Sequence, residues 1–205
     1  MMHSWRSLDP VAFRTAGPLT SAFLLLGKKD LRSAGQYIHR LPYARNSRPE
    51  APLIVLSEGH GTCSTKHALL RRLAIEQGLD IALVLGIYQM SGQNTPGVGK
   101  VLARHGLTVL PEAHCYLRVA GKRIDLTRSW NRSPANQAPA QPISHFLFEE
   151  DIDPMQITDY KTSVHKQFLA QWITDQREVA GRSLSEIWSV REECIASLSG
   201  LGPRA

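Results

Sequence analysis

Gly59-His-Gly-Thr-Cys-Ser-Thr-Lys-His-Ala-Leu-Leu-Arg-Arg-Leu-Ala-Ile-Glu-Gln-Gly78 is the stretch from which the rest of the chain can be read. A glycine-loosened start runs into a pattern that puts Leu69, Leu70, Leu73, Ala74 and Gln77 on one side, the spacing of a helix that faces a core. Thr62 or Ser64 offers a hydroxyl for the N-cap, and Gly78 offers a left-handed stop. Cys63 then stands at or just inside the first turn. The helix field and the free backbone amides there favour thiolate over thiol, so the position suits a nucleophile. A cysteine taken alone is more often a small, inert, buried residue. The nucleophile reading needs a second stretch.

That stretch is Ala113-His-Cys-Tyr-Leu-Arg-Val119, then Ala120-Gly121, then Lys122-Arg-Ile-Asp-Leu-Thr127. Two strand patterns joined by a two-residue turn predict a hairpin. Val119 then faces Lys122, Tyr116 faces Asp125 and His114 faces Thr127. Side chains alternate along a strand, so His114, Tyr116, Asp125 and Thr127 share one face, and Cys115, Leu117, Val119, Ile124 and Leu126 share the apolar other. His114 and Asp125 become diagonal neighbours about 7–8 Å apart at the backbone, within reach of a carboxylate for an imidazole. A cysteine at a helix start, a histidine on one strand and an aspartate on the next make a nucleophile, a base and an orienter. Amides at the helix start, that of Cys63 included, can hold the oxyanion of a tetrahedral intermediate.

Between the two stretches, Leu79 to Gln89 is apolar on both faces and predicts a central strand covered on both sides. Ser91 to Gly99 reads as a polar loop. Thr95 as N-cap and Pro96 at the first helical position predict a short helix ending at Gly106. Leu107 to Leu110 and Pro111 lead into the hairpin. Upstream, short helices are expected over Leu19–Leu26 and from Asp30, a good N-cap, to about Arg40. Leu53 to Leu56 reads as a strand or a buried extended lead-in. Downstream, Asn131 to Pro142 reads as a surface loop. Amphipathic helices are expected from about Tyr160 to Val179 and from Ser183 to Leu198. Their Phe168, Leu169, Trp172, Ile173, Ile187, Trp188, Cys194 and Ile195 are read as core.

Gly-Thr-Cys63-Ser-Thr-Lys-His-Ala-Leu-Leu, the strand Gly-Leu-Asp-Ile-Ala-Leu-Val-Leu-Gly-Ile-Tyr, Glu-Ala-His114 and Arg-Ile-Asp125-Leu-Thr together resemble the transglutaminase-like superfamily. The resemblance covers about residues 55–130. It implies an α+β fold with a papain-like core, a nucleophile-bearing helix packed on an antiparallel sheet, here with extra flanking helices. It also implies a thiol-dependent acyl transfer on an amide bond, with Cys63 as nucleophile, His114 as base and Asp125 as orienter, and with no cofactor. Members include transglutaminases, proteases, amidases and deglycosylating enzymes, so hydrolysis and transfer to an amine both stay open. A compact chain of this kind favours hydrolysis of a peptide or small-molecule amide. Cys115-Tyr116 stands where an aromatic such as Trp often follows the histidine. The side-chain oxyanion donor is unassigned, with Gln36, Tyr43 and His60 as candidates, and nothing resembles the calcium sites or flanking β domains of animal transglutaminases.

Composition narrows the classes. The 205 residues suffice for one sizeable domain, read as spanning 1–205 with a core at about 53–130 and helical flanks at 1–50 and 143–200. The net charge of +6 is spread along the chain without a basic run, so no nucleic-acid partner is expected. Three widely spaced cysteines make no disulfide framework, and no segment is long and apolar enough for a membrane span. A cytoplasmic protein is expected, its oligomeric state open. Two other readings remain: a zinc site drawn from His60, Cys63, His67, His114 and Cys115, and a non-catalytic binding module. His67 is otherwise read as a helix-surface or packing residue, and Glu112 as a solvated carboxylate by default, with anchoring of the loop before His114 as the alternative.

Overall fold

The computed structural model describes residues 2–127 and 141–199. Among these, helices α1 (Pro18–Leu25), α2 (Leu31–Arg40), α3 (Ile54–Glu58), α4 (Cys63–Glu76), α5 (Gly99–Arg104), α6 (Asp159–Asp175) and α7 (Leu184–Ser199) pack about strands β1 (Met2–His3), β2 (Ala82–Ser91), β3 (Val109–Val119), β4 (Lys122–Ile124) and β5 (Phe148–Ile152). The strands form one open sheet in the order β1-β4-β3-β2-β5, with β1 parallel to β4 and all other neighbours antiparallel. The fold is α+β, and the expected antiparallel hairpin and central strand are present.

Period-two alternation sends the two faces of β2 and β3 into separate cores. Leu83, Leu85, Ile87, Ala113, Cys115 and Leu117 pack with α1–α4, whereas Val84, Tyr88, Met90, Leu110 and Tyr116 pack with α5–α7. Both faces being covered explains why Leu79 to Gln89 carries no polar alternation. α4 lies against β3 through Leu69, Leu70, Leu73 and Ala74, all fully buried. Each of the three leucines contributes about 1.5–3 kcal/mol by its burial. The helix is therefore held along its length, and its first residue is held in place with it.

Local chemistry sets the ends. Thr62 and Thr65 form a reciprocal capping box at the start of α4, as Asp30 and Ser33 do for α2. Gly78, at φ 64°, turns the chain out after α4. The hairpin has the expected register, Leu117 facing Ile124 and Val119 facing Lys122. Its turn holds Ala120 at φ 46° and Gly121 at φ 74°, the doubly left-handed form that matches strand twist.

Several expectations are corrected. Leu53–Leu56 is not a strand: Ile54–Glu58 is a short helix, with Leu56 and Ser57 amides bonded to the Leu53 carbonyl. A brief apolar run gives no period with which to tell the two apart. Thr95 does not cap a helix. Its hydroxyl is bonded to the Tyr88 hydroxyl at 2.9 Å, its amide to the Ser91 carbonyl, and the helix begins four residues later at Gly99. The segment before the hairpin is not separate either, since β3 runs unbroken from Val109 through Pro111. β1 and β5, short edge strands, have no sequence signal. Of the loop expected over Asn131–Pro142, only positions 141 and 142 lie within the described residues. Among the described residues no helix is long and apolar enough to cross a membrane.

Candidate active site

The hairpin ladder stops at Ile124, one residue short of Asp125. The Asp125 amide bonds the His3 carbonyl at 2.9 Å on the β1 side, and the Leu126 amide goes to His67 Nε2 instead of to β3, so the expected pairing of Asp125 with Tyr116 and of Thr127 with His114 is not made. β3 thus has an open edge at His114 and Cys115, and the start of α4 fills it. The side-chain contact drawn from the register survives: His114 Nε2 lies 3.0 Å from Asp125 Oδ2. His114 and the Cys115 amide at the open edge both come near enough to the Cys63 sulfur to favour its thiolate. All three predicted residues are brought together, each with little exposure.

Electrostatics sort these groups. Burial alone raises the Cys63 thiol, but the charges of Lys161 and then His114, with hydrogen bonds from His114 and the Cys115 amide, bring it down to about 6. Burial likewise opposes charge on His114, yet the Asp125 carboxylate and the Cys63 thiolate push it up to about 10. Asp125 is held well below the usual carboxylate range, its burial outweighed first by His114 and then by His67 and Thr127; the Thr127 amide donates to Oδ1 at 2.8 Å. The resting site is a thiolate–imidazolium pair with a carboxylate behind it.

Two adjacent residues of α4 fix the segment that carries Asp125. His67 is fully buried. Its Nδ1 lies 2.7 Å from the Cys63 carbonyl, which can only accept, so Nδ1 carries the proton and Nε2 accepts the Leu126 amide at 2.8 Å. Burial lowers this imidazole to about 4 and keeps it neutral. Lys66 donates to the carbonyls of Leu41 at 2.6 Å and Thr127 at 3.0 Å. His67 is thus neither a surface residue nor a filler. It clamps the backbone of Cys63 to that of Leu126, next to Asp125, and the one signal for it was its position a helical turn after Cys63.

A cleft of about 260 Å³ opens onto Cys63 and is bordered by Tyr43, Ile157, Lys161, Trp188 and Ile195. Trp188 and Ile195, expected only in the core, also face this cleft. Lys161 on α6 was not anticipated: its ammonium lies 2.8 Å from Ser64 Oγ and 3.8 Å from Cys63 Sγ. Lys161 and His165, four apart on α6, mark a polar stripe on its cleft side, a spacing the sequence did contain. Glu112 is not solvated. It is buried, and Arg191 grips both its oxygens at 2.9 and 2.6 Å. Of the proposed oxyanion donors, Tyr43 borders the cleft, whereas His60 is engaged by the Arg45 carbonyl and Glu58; nothing brings Gln36 to the cleft.

The zinc grouping is not assembled. Among the described residues no three of its kind are arranged to hold a metal ion. His67 has both nitrogens in hydrogen bonds to backbone, and Cys115 points into the α1–α4 core. Comparison of the chain with known families, with curated proteins and with solved structures finds no match.

Proposed function

We propose that this chain is a thiol-dependent acyl-transfer enzyme that hydrolyses an amide bond of a peptide or small molecule, with Cys63 as nucleophile, His114 as base and acid, and Asp125 as orienter. The observation that carries the reading is His114 bonded to Asp125 at 3.0 Å and close enough to the Cys63 sulfur for each to shift the other, with Cys63 opening on a cleft. The helix headed by the cysteine, resting on an antiparallel strand with the histidine and a hairpin to the aspartate, also supports a transglutaminase-like core.

In this reading the Cys63 thiolate attacks the amide carbon, and the carbonyl electron pair moves to oxygen. The Cys63 amide at the start of α4 is placed to meet that charge. The imidazolium of His114 gives its proton to the departing amine, leaving a thioester. Neutral His114 then takes a proton from water, hydroxide attacks the thioester, and the thiolate returns with the acid product. An amine in place of water gives transamidation by the same route. Asp125 holds the tautomer and offsets the imidazolium throughout. A cleft of about 260 Å³, just under the range of drug-sized ligand pockets, suits a side chain or a short peptide segment.

The test is capture of an acyl-enzyme from a library of peptide and metabolite amides, read by intact mass, with Cys63→Ala alongside. Adducts on the wild type alone are expected, with water or amine as the second substrate resolving hydrolysis from transfer. Equal capture by both proteins would overturn the nucleophile assignment.

A further inference from the structure

The triad as drawn carries an imbalance. With Asp125 ionised, Cys63 and His114 exchange a proton between them without changing the total, so the three groups hold one net negative charge in either form. A buried site with an uncompensated negative charge disfavours the thiolate and, after attack, the oxyanion to which its charge passes. Lys161 supplies the missing cation. It reaches in from α6, half-buried, to within 3.8 Å of the sulfur, and Ser64 Oγ fixes it at 2.8 Å. Among the described residues it makes no ion pair with a carboxylate. Glu112, close enough to influence it, is already held by Arg191 at both oxygens.

The other titratable groups around the sulfur do not fill this role. His67 on α4 and His165 on α6 are held neutral by burial, and the Cys115 thiol on β3 and the Tyr88 hydroxyl on β2 stay protonated. Arg191 on α7 is spent on Glu112 and Glu192.

We propose that Lys161 is a fourth catalytic residue of this centre, a fixed cation that holds the Cys63 thiolate before attack and the oxyanion after it. The inference rests on the acyl-transfer reading. As the C–S bond forms, the negative charge passes from sulfur to the carbonyl oxygen two bonds away and remains beside the ammonium. Of its three N–H donors, two are spent on Ser64 and the sulfur, leaving one for the incoming oxygen. When the C–N bond breaks, the pair on oxygen restores the carbonyl, and the amine leaves with the His114 proton. Lys161 and Asp125 then face each other's charge across a neutral thioester. Asp125 and Lys161 thus cancel through the whole cycle.

The experiment is alkylation of Cys63 by iodoacetamide, followed peptide by peptide from pH 5 to 9 in wild type, Lys161→Met and Lys161→Arg. At pH 5, the low end of the profile, the Met variant should react about tenfold more slowly, a displacement of its profile by about one pH unit, and the Arg variant should recover to within about threefold. Superposed wild-type and Met profiles would overturn the role of Lys161 and leave the triad standing. A wild-type profile like that of an ordinary thiol would overturn both. Should the Met variant not fold, the wild type decides alone. Its iodoacetate-to-iodoacetamide rate ratio should exceed that of glutathione, since the anionic reagent approaches a free ammonium donor. A ratio at or below that of glutathione would contradict the proposal.

Discussion

Two buried carboxylates flank the open edge of β3, and they are neutralised in different ways. Glu112 is gripped at both oxygens by Arg191, a cation that never gives up its proton. Asp125 faces His114, whose proton can leave. The first arrangement locks α7 to β3 and has no chemistry to offer. The second can cycle. The contrast is sharpened by His67 and His114, two imidazoles with ring centres 6.2 Å apart and both near Asp125. One is lowered to about 4 by burial and kept neutral, and the other is driven to about 10 by carboxylate and thiolate. Burial alone does not make a residue reactive; what matters is whether its partner can exchange a proton.

The contrast can be broken by exchanging the two acids for amides. Asp125→Asn should lower turnover of a trapped substrate by on the order of 10⁴-fold, since the amide favours the wrong imidazole tautomer, while the melting temperature moves little by comparison. Glu112→Gln should do the reverse. It leaves Arg191 buried with its charge uncompensated, at about 3–5 kcal/mol, or roughly 10 °C in Tm for a chain of this length, read by calorimetry. A Glu112→Gln enzyme of unchanged stability but greatly reduced rate would erase the distinction.

Smaller effects sharpen it. His67→Phe keeps the volume but strands the buried Leu126 amide, costing about 1–3 kcal/mol. Hydrogen exchange at Leu126 should rise with it. Arg45→Ala removes an exposed pair with Glu192 and should change stability by less than about 1 kcal/mol. A larger loss would mean that the ion pairs at the cleft rim act as a network.

The sequence made the central pieces legible because they are local. A capped helix, a two-residue turn and strict alternation each follow from a few neighbouring residues, and together they bring Cys63, His114 and Asp125 into one buried cluster. What stayed hidden is long-range. The ladder ends before Asp125 where His67, 59 residues away in sequence, takes the Leu126 amide that would have continued it. Lys161 and Arg191 reach the site from helices whose order in space no pattern announces, and the two-residue β1 is too short to carry a period. Thr95 shows the converse: its Pro-following cap signal is sound locally, but Tyr88 claims the hydroxyl.

The most direct test of the central claim is the pH profile of thiol alkylation in the unmodified protein, resolved by cysteine. Cys63 should begin to react with iodoacetamide near pH 6, while Cys115 and Cys194, pushed up to about 11 by burial, stay unlabelled through pH 9. A Cys63 that reacts only as pH passes about 8.5, like a free thiol, would contradict the ion pair and the chemistry built on it.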